Sequence, residues 1–88
     1  MFKTKYNKIY LFYYKDGYWD KTIYDSNDKE IYFEDSYGYW HKSEYDKNNN
    51  LIYYQRSDGW WERYEYDSNG NKIYYEDSDG DIRDYRNV

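Results

Sequence analysis

The chain has 88 residues, with 13 basic and 18 acidic side chains and a net charge of -5 at neutral pH. This length allows one small domain, and the absence of cysteine removes disulfides and thiolate metal sites as sources of stability. The acidic balance argues against a general nucleic-acid binder, which carries a basic stripe, and suits a basic protein partner.

Residues 1–16, MFKTKYNKIYLFYYKD, open the chain with lysines around a short apolar patch. Charge interrupts the patch and no small-residue cleavage site follows, so it does not read as a signal peptide. No apolar run is long enough to span a bilayer. The expectation is a soluble cytoplasmic protein of a bacterial cell or an infected host, and the composition is also compatible with an extracellular one.

From Gly17 onward the chain repeats. Gly17, Gly38, Gly59 and Gly80 are spaced by 21 residues. The units are GYWDKTIYDSNDKEIYFEDSY (17–37), GYWHKSEYDKNNNLIYYQRSD (38–58) and GWWERYEYDSNGNKIYYEDSD (59–79), and the second and third agree at 12 of 21 positions. Shared columns include Trp19/Trp40/Trp61, Tyr24/Tyr45/Tyr66, Asp25/Asp46/Asp67, Ile31/Ile52/Ile73 and Ser36/Ser57/Ser78. Residues 1–16 keep a trace of the pattern in Phe12 and Asp16, and residues 80–88 are a truncated copy. Atypical ends are usual in repeat arrays.

Each unit reads as two strands. In the third, an aromatic-rich strand over Trp60–Tyr66 ends at the Tyr-Asp pair. SNGN, with KNNN and SNDK in its place elsewhere, is turn chemistry. A shorter strand, Ile73–Glu76, follows, and SDG makes a hairpin turn into the next unit. Connections this short exclude parallel crossovers. The fold class is therefore all-β, an antiparallel meander of about 7–8 strands in a thin twisted or curled sheet, forming one domain over residues 1–88. Alternation puts Trp60, Glu62, Tyr64 and Tyr66 on one face and Trp61, Arg63 and Glu65 on the other. Both faces hold rings. A thin sheet cannot bury both, so it suits tyrosine, whose body is apolar and whose tip is polar.

The motif YxYDxxGN, present as Tyr64-Glu65-Tyr66-Asp67-Ser68-Asn69-Gly70-Asn71, resembles the tyrosine–aspartate (YD, or RHS-type) repeats of bacterial proteins. That resemblance implies β-hairpins strung into strips, which in the family often curl into a shell around a toxin. This chain is too short to enclose anything. A weaker similarity is to choline-binding repeats, whose hairpins hold a quaternary ammonium between aromatic rings.

Little in the sequence points to catalysis. The single histidine, His41, aligns with Asp20 and Glu62 and reads as a solvated surface position. Neither a nucleophile motif nor a Gly-rich phosphate loop is present. DSNGN (67–71) and DSDGD (77–81) are similar in composition to calcium loops, but their glycine is fourth where the EF-hand loop has it sixth. No metal site and no cofactor are expected. Lys21, Lys42 and Arg63 form a basic column beside the tryptophan column, with acids around them cancelling the field that single-stranded nucleic acid needs.

The leading expectation is a non-enzymatic protein-binding module, because Tyr, Trp and Arg dominate interface hot spots. Hot spots cluster centrally, which selects Tyr39, Trp40, Trp60, Trp61 and Tyr64 as the partner-binding residues. A small acidic chain without catalytic groups is similar in general character to inhibitors of nucleic-acid-handling enzymes, including anti-CRISPR proteins. The alternatives are a carbohydrate- or choline-binding module and a structural fragment of a YD-repeat protein. The edge strands suggest a homodimer as a further expectation.

Overall fold

The structure, a computed structural model, describes residues 7–87. Eight strands follow one another in a single antiparallel sheet: β1 (Lys8–Tyr13), β2 (Trp19–Tyr24), β3 (Glu30–Asp35), β4 (Trp40–Tyr45), β5 (Leu51–Arg56), β6 (Trp61–Tyr66), β7 (Lys72–Asp77) and β8 (Ile82–Asp84). The sheet is an open meander with β1 and β8 as its edges. The second strand of each unit is longer than the sequence suggested. β7 extends beyond Ile73–Glu76 because Lys72 pairs with Tyr66 across a bulge, and Asp77 pairs with Glu62 before its turn begins.

All seven hairpin turns share one geometry. At the Asp67 turn, Gly70 N–H donates to the Asp67 carbonyl at 3.1 Å and Asp67 N–H donates to the Asn71 carbonyl at 2.9 Å. The Arg56 turn repeats this with Gly59 and Trp60. This is a type I turn closed by a residue with positive φ. Glycine takes that place in five turns, and Asp28 (φ 61°) and Asn49 (φ 65°) take it in the other two. Asp and Asn are the side chains that best tolerate this region. SNDK, KNNN, SNGN and SDG are thus variants of a single turn.

An aspartate fastens each turn. Oδ1 of Asp25, Asp35, Asp46, Asp67 and Asp77 accepts two backbone N–H groups, from the residues two and four positions on. Where Tyr14 or Arg56 opens the turn, Asp16 or Asp58 accepts from Tyr18 or Trp60 instead. Such bonds favour the ionised carboxylate. The Asn50 and Asn71 backbone N–H groups hold Asp46 and Asp67 below the usual carboxylate range, and for Asp77 the Tyr75 hydroxyl is the leading cause.

Adjacent hairpins are joined at both ends. At one end, Ser36, Ser57 and Ser78 clasp Trp19, Trp40 and Trp61: serine Oγ accepts the tryptophan N–H, and serine N–H donates to the tryptophan carbonyl. At the other, a bulge interrupts the pairing just before Tyr24, Tyr45 and Tyr66. Beyond the end of the β3–β4 and β5–β6 ladders, the hydroxyls of Tyr45 and Tyr66 donate to the Glu30 and Leu51 carbonyls at 3.0 and 2.8 Å. These contacts explain four of the repeat columns, those of Trp, Ser, Tyr and Asp.

The sheet has no second layer. It is 17 Å thick with a radius of gyration of 16.2 Å, against about 12 Å for a compact domain of this length. Among the described residues only Tyr74, 7% exposed, and Asp77, 6% exposed, are buried. Ile31, Ile52 and Ile73 are half-buried. Tyrosine solves this problem locally. On one strand, the hydroxyls of Tyr32, Tyr53 and Tyr74 donate to Glu34, Gln55 and Glu76 two residues along, and those of Tyr64 and Tyr75 engage Glu62 and Asp77. Each ring lies along the sheet with its tip satisfied, which phenylalanine could not achieve.

Candidate protein interface

Cross-strand register divides the side chains into two faces. Pairings such as Lys21↔Glu34, Glu34↔Trp40, Gln55↔Trp61, Tyr53↔Arg63 and Glu76↔Ile82 place Trp19, Trp40 and Trp61 together, as the sequence pattern predicts. This tryptophan face also carries Lys21, Lys42 and Arg63, and Tyr32, Tyr53 and Tyr74. The opposite, tyrosine face carries Phe33, His41, Tyr54, Glu62, Tyr64 and Tyr75.

The tyrosine face packs on itself. All but one of the ring–ring contacts among the described residues lie off the tryptophan face. His41 is at the hub, which corrects its reading as a solvated position. It is half-buried, stacked on Phe33 with centroids 5.2 Å apart, and borders Tyr39 at 5.8 Å and Tyr54 at 5.8 Å. Its repeat equivalents also serve aromatic rings, by accepting hydrogen bonds. Asp20 accepts from the Tyr14 hydroxyl, and Glu62 accepts from Trp60 Nε1 at 2.9 Å and from the Tyr64 hydroxyl. A carboxylate satisfies ring donors there, and an imidazole stacks instead. Burial first, and Glu62 second, push the Tyr64 hydroxyl well above the usual phenol range. The Asp77 carboxylate pushes Tyr75 up to about 12.

On the tryptophan face the three units differ. In the first, Lys21 pairs with Glu34 at 3.4 Å and lies over the Tyr32 ring at 5.8 Å, and Tyr32 stacks on Trp40. In the third, Arg63 pairs with Glu76 and lies over Tyr74 at 5.6 Å, and Arg86 lies over the same ring at 4.1 Å. The middle unit has the same framework without the pairings. Lys42 faces Gln55 where its neighbours face glutamate. Among the described residues Lys42 and Glu44 have no ion pair, and no cation lies over Tyr53. Gln55, interrupting the Glu34/Glu76 column, was the sequence signal for this difference.

The five residues selected from the sequence do not form one patch. Trp40 and Trp61 lie on the tryptophan face. Tyr39, Trp60 and Tyr64 lie on the other, tied into its ring and carboxylate contacts. Adjacent residues on a strand point to opposite faces, so Tyr39–Trp40 and Trp60–Trp61 cannot both reach one flat partner. The acidic excess is concentrated at the turns. Asp16, Asp25, Asp35, Asp46, Asp58, Asp67 and Asp77 serve the turns, which places much of the negative charge along the two rims of the plate. β1 stands apart again: Ile9, Tyr10, Leu11, Phe12 and Tyr13 are all exposed on the edge strand.

Compared with known proteins, the chain matches no family model, and no curated protein is detectably similar to it.

Proposed function

We propose that the chain is a non-enzymatic protein-binding module that presents its tryptophan face to a partner with a basic surface, of the kind a nucleic-acid-handling protein carries. The observation that supports this reading is the middle unit. At the centre of that face, between Trp40 and Trp61, Lys42 and Glu44 have no ion pair and Tyr53 no cation over its ring among the described residues, where the flanking units make such contacts. Interface hot spots concentrate in such central aromatic positions. The opposite face spends its rings on self-packing and has less to offer. A sheet already ordered by clasped turns loses little conformational freedom on docking, and the acidic rims speed encounter with a basic surface.

The test is reconstitution. The tagged chain is used to capture proteins from its source cells, and a captured candidate is purified and titrated by calorimetry. A saturable complex of fixed stoichiometry, slower to form at high salt, supports the reading. Failure to reconstitute any complex, with saturable quenching of tryptophan fluorescence by choline or an oligosaccharide, replaces it with a small-ligand module.

A further inference from the structure

The three column tyrosines of the tryptophan face are an internal comparison. Tyr74 has Glu65 opposite it on β6 and Asp84 opposite it on β8. Arg86 lies across its ring, with the guanidinium carbon 4.1 Å from the centroid. That guanidinium bonds Asp84 through Nε at 2.9 Å and Nη2 at 2.8 Å, and Glu65 through Nη1 at 3.2 Å. Stacked on a ring and forked between carboxylates, Arg86 occupies a complete guanidinium site. Its ring is one of the two buried side chains of the described sheet.

One unit earlier, Tyr53 has the same place in the sheet. Its hydroxyl donates to Gln55 at 3.0 Å as that of Tyr74 does to Glu76, so the ring lies the same way along its strand. Glu44 is directly opposite Tyr53 on β4, as Glu65 is opposite Tyr74. Glu65 itself stands at the repeat position of Arg86, 21 residues earlier. Glu44, Tyr53, Arg63 and Glu65 line one hollow in the surface. Arg63 is turned away, onto Tyr74 and Glu76. Tyr53 is half-buried where Tyr74 is buried, Glu44 has no ion pair among the described residues, and Glu65 engages Arg86 through Oε2 only. Two parts of the Arg86 site, the ring and the glutamate opposite it on the preceding strand, are therefore repeated around a ring that carries no cation among the described residues. Arg63 stands opposite Tyr53 where Asp84 stands opposite Tyr74, so Glu65 supplies the second carboxylate.

We propose that the hollow over Tyr53, framed by Glu44 and Glu65, receives the guanidinium of an arginine from the partner protein, in the way that Arg86 covers Tyr74. The inference rests on the protein-binding reading and names the chemistry of its central contact. Arginine is favoured over lysine because a planar fork stacks on a ring and reaches two carboxylates at once, which a compact ammonium does not.

The test uses the full chain and a capped Gly-Arg-Gly peptide as probe, with lysine and citrulline versions, followed by NMR of the Tyr53 ring and the Glu44 and Glu65 side chains. The expected result is saturable shifts at these three residues with the arginine peptide, at least fivefold weaker binding of the lysine peptide and none of the citrulline peptide. Glu44→Gln, exposed and outside the turns, should weaken binding at least threefold with the sheet's amide spectrum unchanged. Shifts spread over the turn aspartates, or equal affinity in Glu44→Gln, would overturn the site. Loss of the peptide site alongside an intact Trp61-dependent protein complex would overturn this inference alone, while absence of any protein complex would overturn the broader reading.

Discussion

Replacing Gly59 by alanine isolates the backbone requirement on which the meander depends. Gly59 closes the β5–β6 turn at φ 95°, and a Cβ built there meets nothing within 4 Å. No clash enters, so the cost is conformational. Holding an L-residue at positive φ costs about 1–2 kcal/mol. The stiffer unfolded chain gives back about 0.4–1 kcal/mol. The net loss should be about 1 kcal/mol, or roughly 4–8 °C in melting temperature for a chain of this size. Gly59→Asn should lose less than half as much, since Asn49 already sits at φ 65° in the equivalent place of a neighbouring turn. Urea denaturation followed by tryptophan fluorescence measures both. An alanine variant as stable as the parent, or an asparagine variant no better than alanine, would refute the turn assignment.

Tyr66→Phe removes the hydroxyl that donates to the Leu51 carbonyl, and denaturation should show a loss of about 1 kcal/mol; no loss would mean that this bond does not join the hairpins. Tyr75 is pushed up to about 12 by Asp77, and Tyr64 is raised by burial and Glu62. These tyrosines therefore contribute stability that is fully present below their unfolded value near pH 10 and lost as pH rises toward about 12. A tyrosinate absorbance titration should show late-titrating hydroxyls in the folded chain and none in urea, and identical curves would contradict the tyrosine–carboxylate pairing. The exposed apolar strand β1 favours association through its edge. Sedimentation velocity should show concentration-dependent dimerisation abolished by Leu11→Lys, and a monomer at every concentration would refute it.

The architecture was legible because the repeat carries it. Equal glycine spacing located the turns, and alternation put Trp19, Trp40 and Trp61 on one face. Equivalence of the two turn types was hidden because Asp28, Asn49 and Gly70 occupy one backbone position with three different side chains. The true length of β7 was hidden too, since a bulge changes register without a sequence mark of its own. His41 misled because the column of Asp20 and Glu62 looked like a solvated site, whereas those acids receive ring donors. The five partner-binding candidates fall on two faces for a simpler reason. Neighbouring rings such as Trp60 and Trp61 were chosen for centrality along the chain, and the two-residue period of a strand separates them.

That separation supplies the most direct measurement. Trp60 and Trp61 are adjacent, both are half-buried, and they face opposite sides of the sheet. With a reconstituted partner, the affinities of Trp60→Ala and Trp61→Ala are compared by calorimetry, with circular dichroism to check that each variant keeps its strands. Trp61→Ala should weaken binding at least tenfold, about 1.4 kcal/mol, and Trp60→Ala less than about threefold, around 0.65 kcal/mol. Equal losses, or a larger loss at Trp60, would contradict recognition through the tryptophan face.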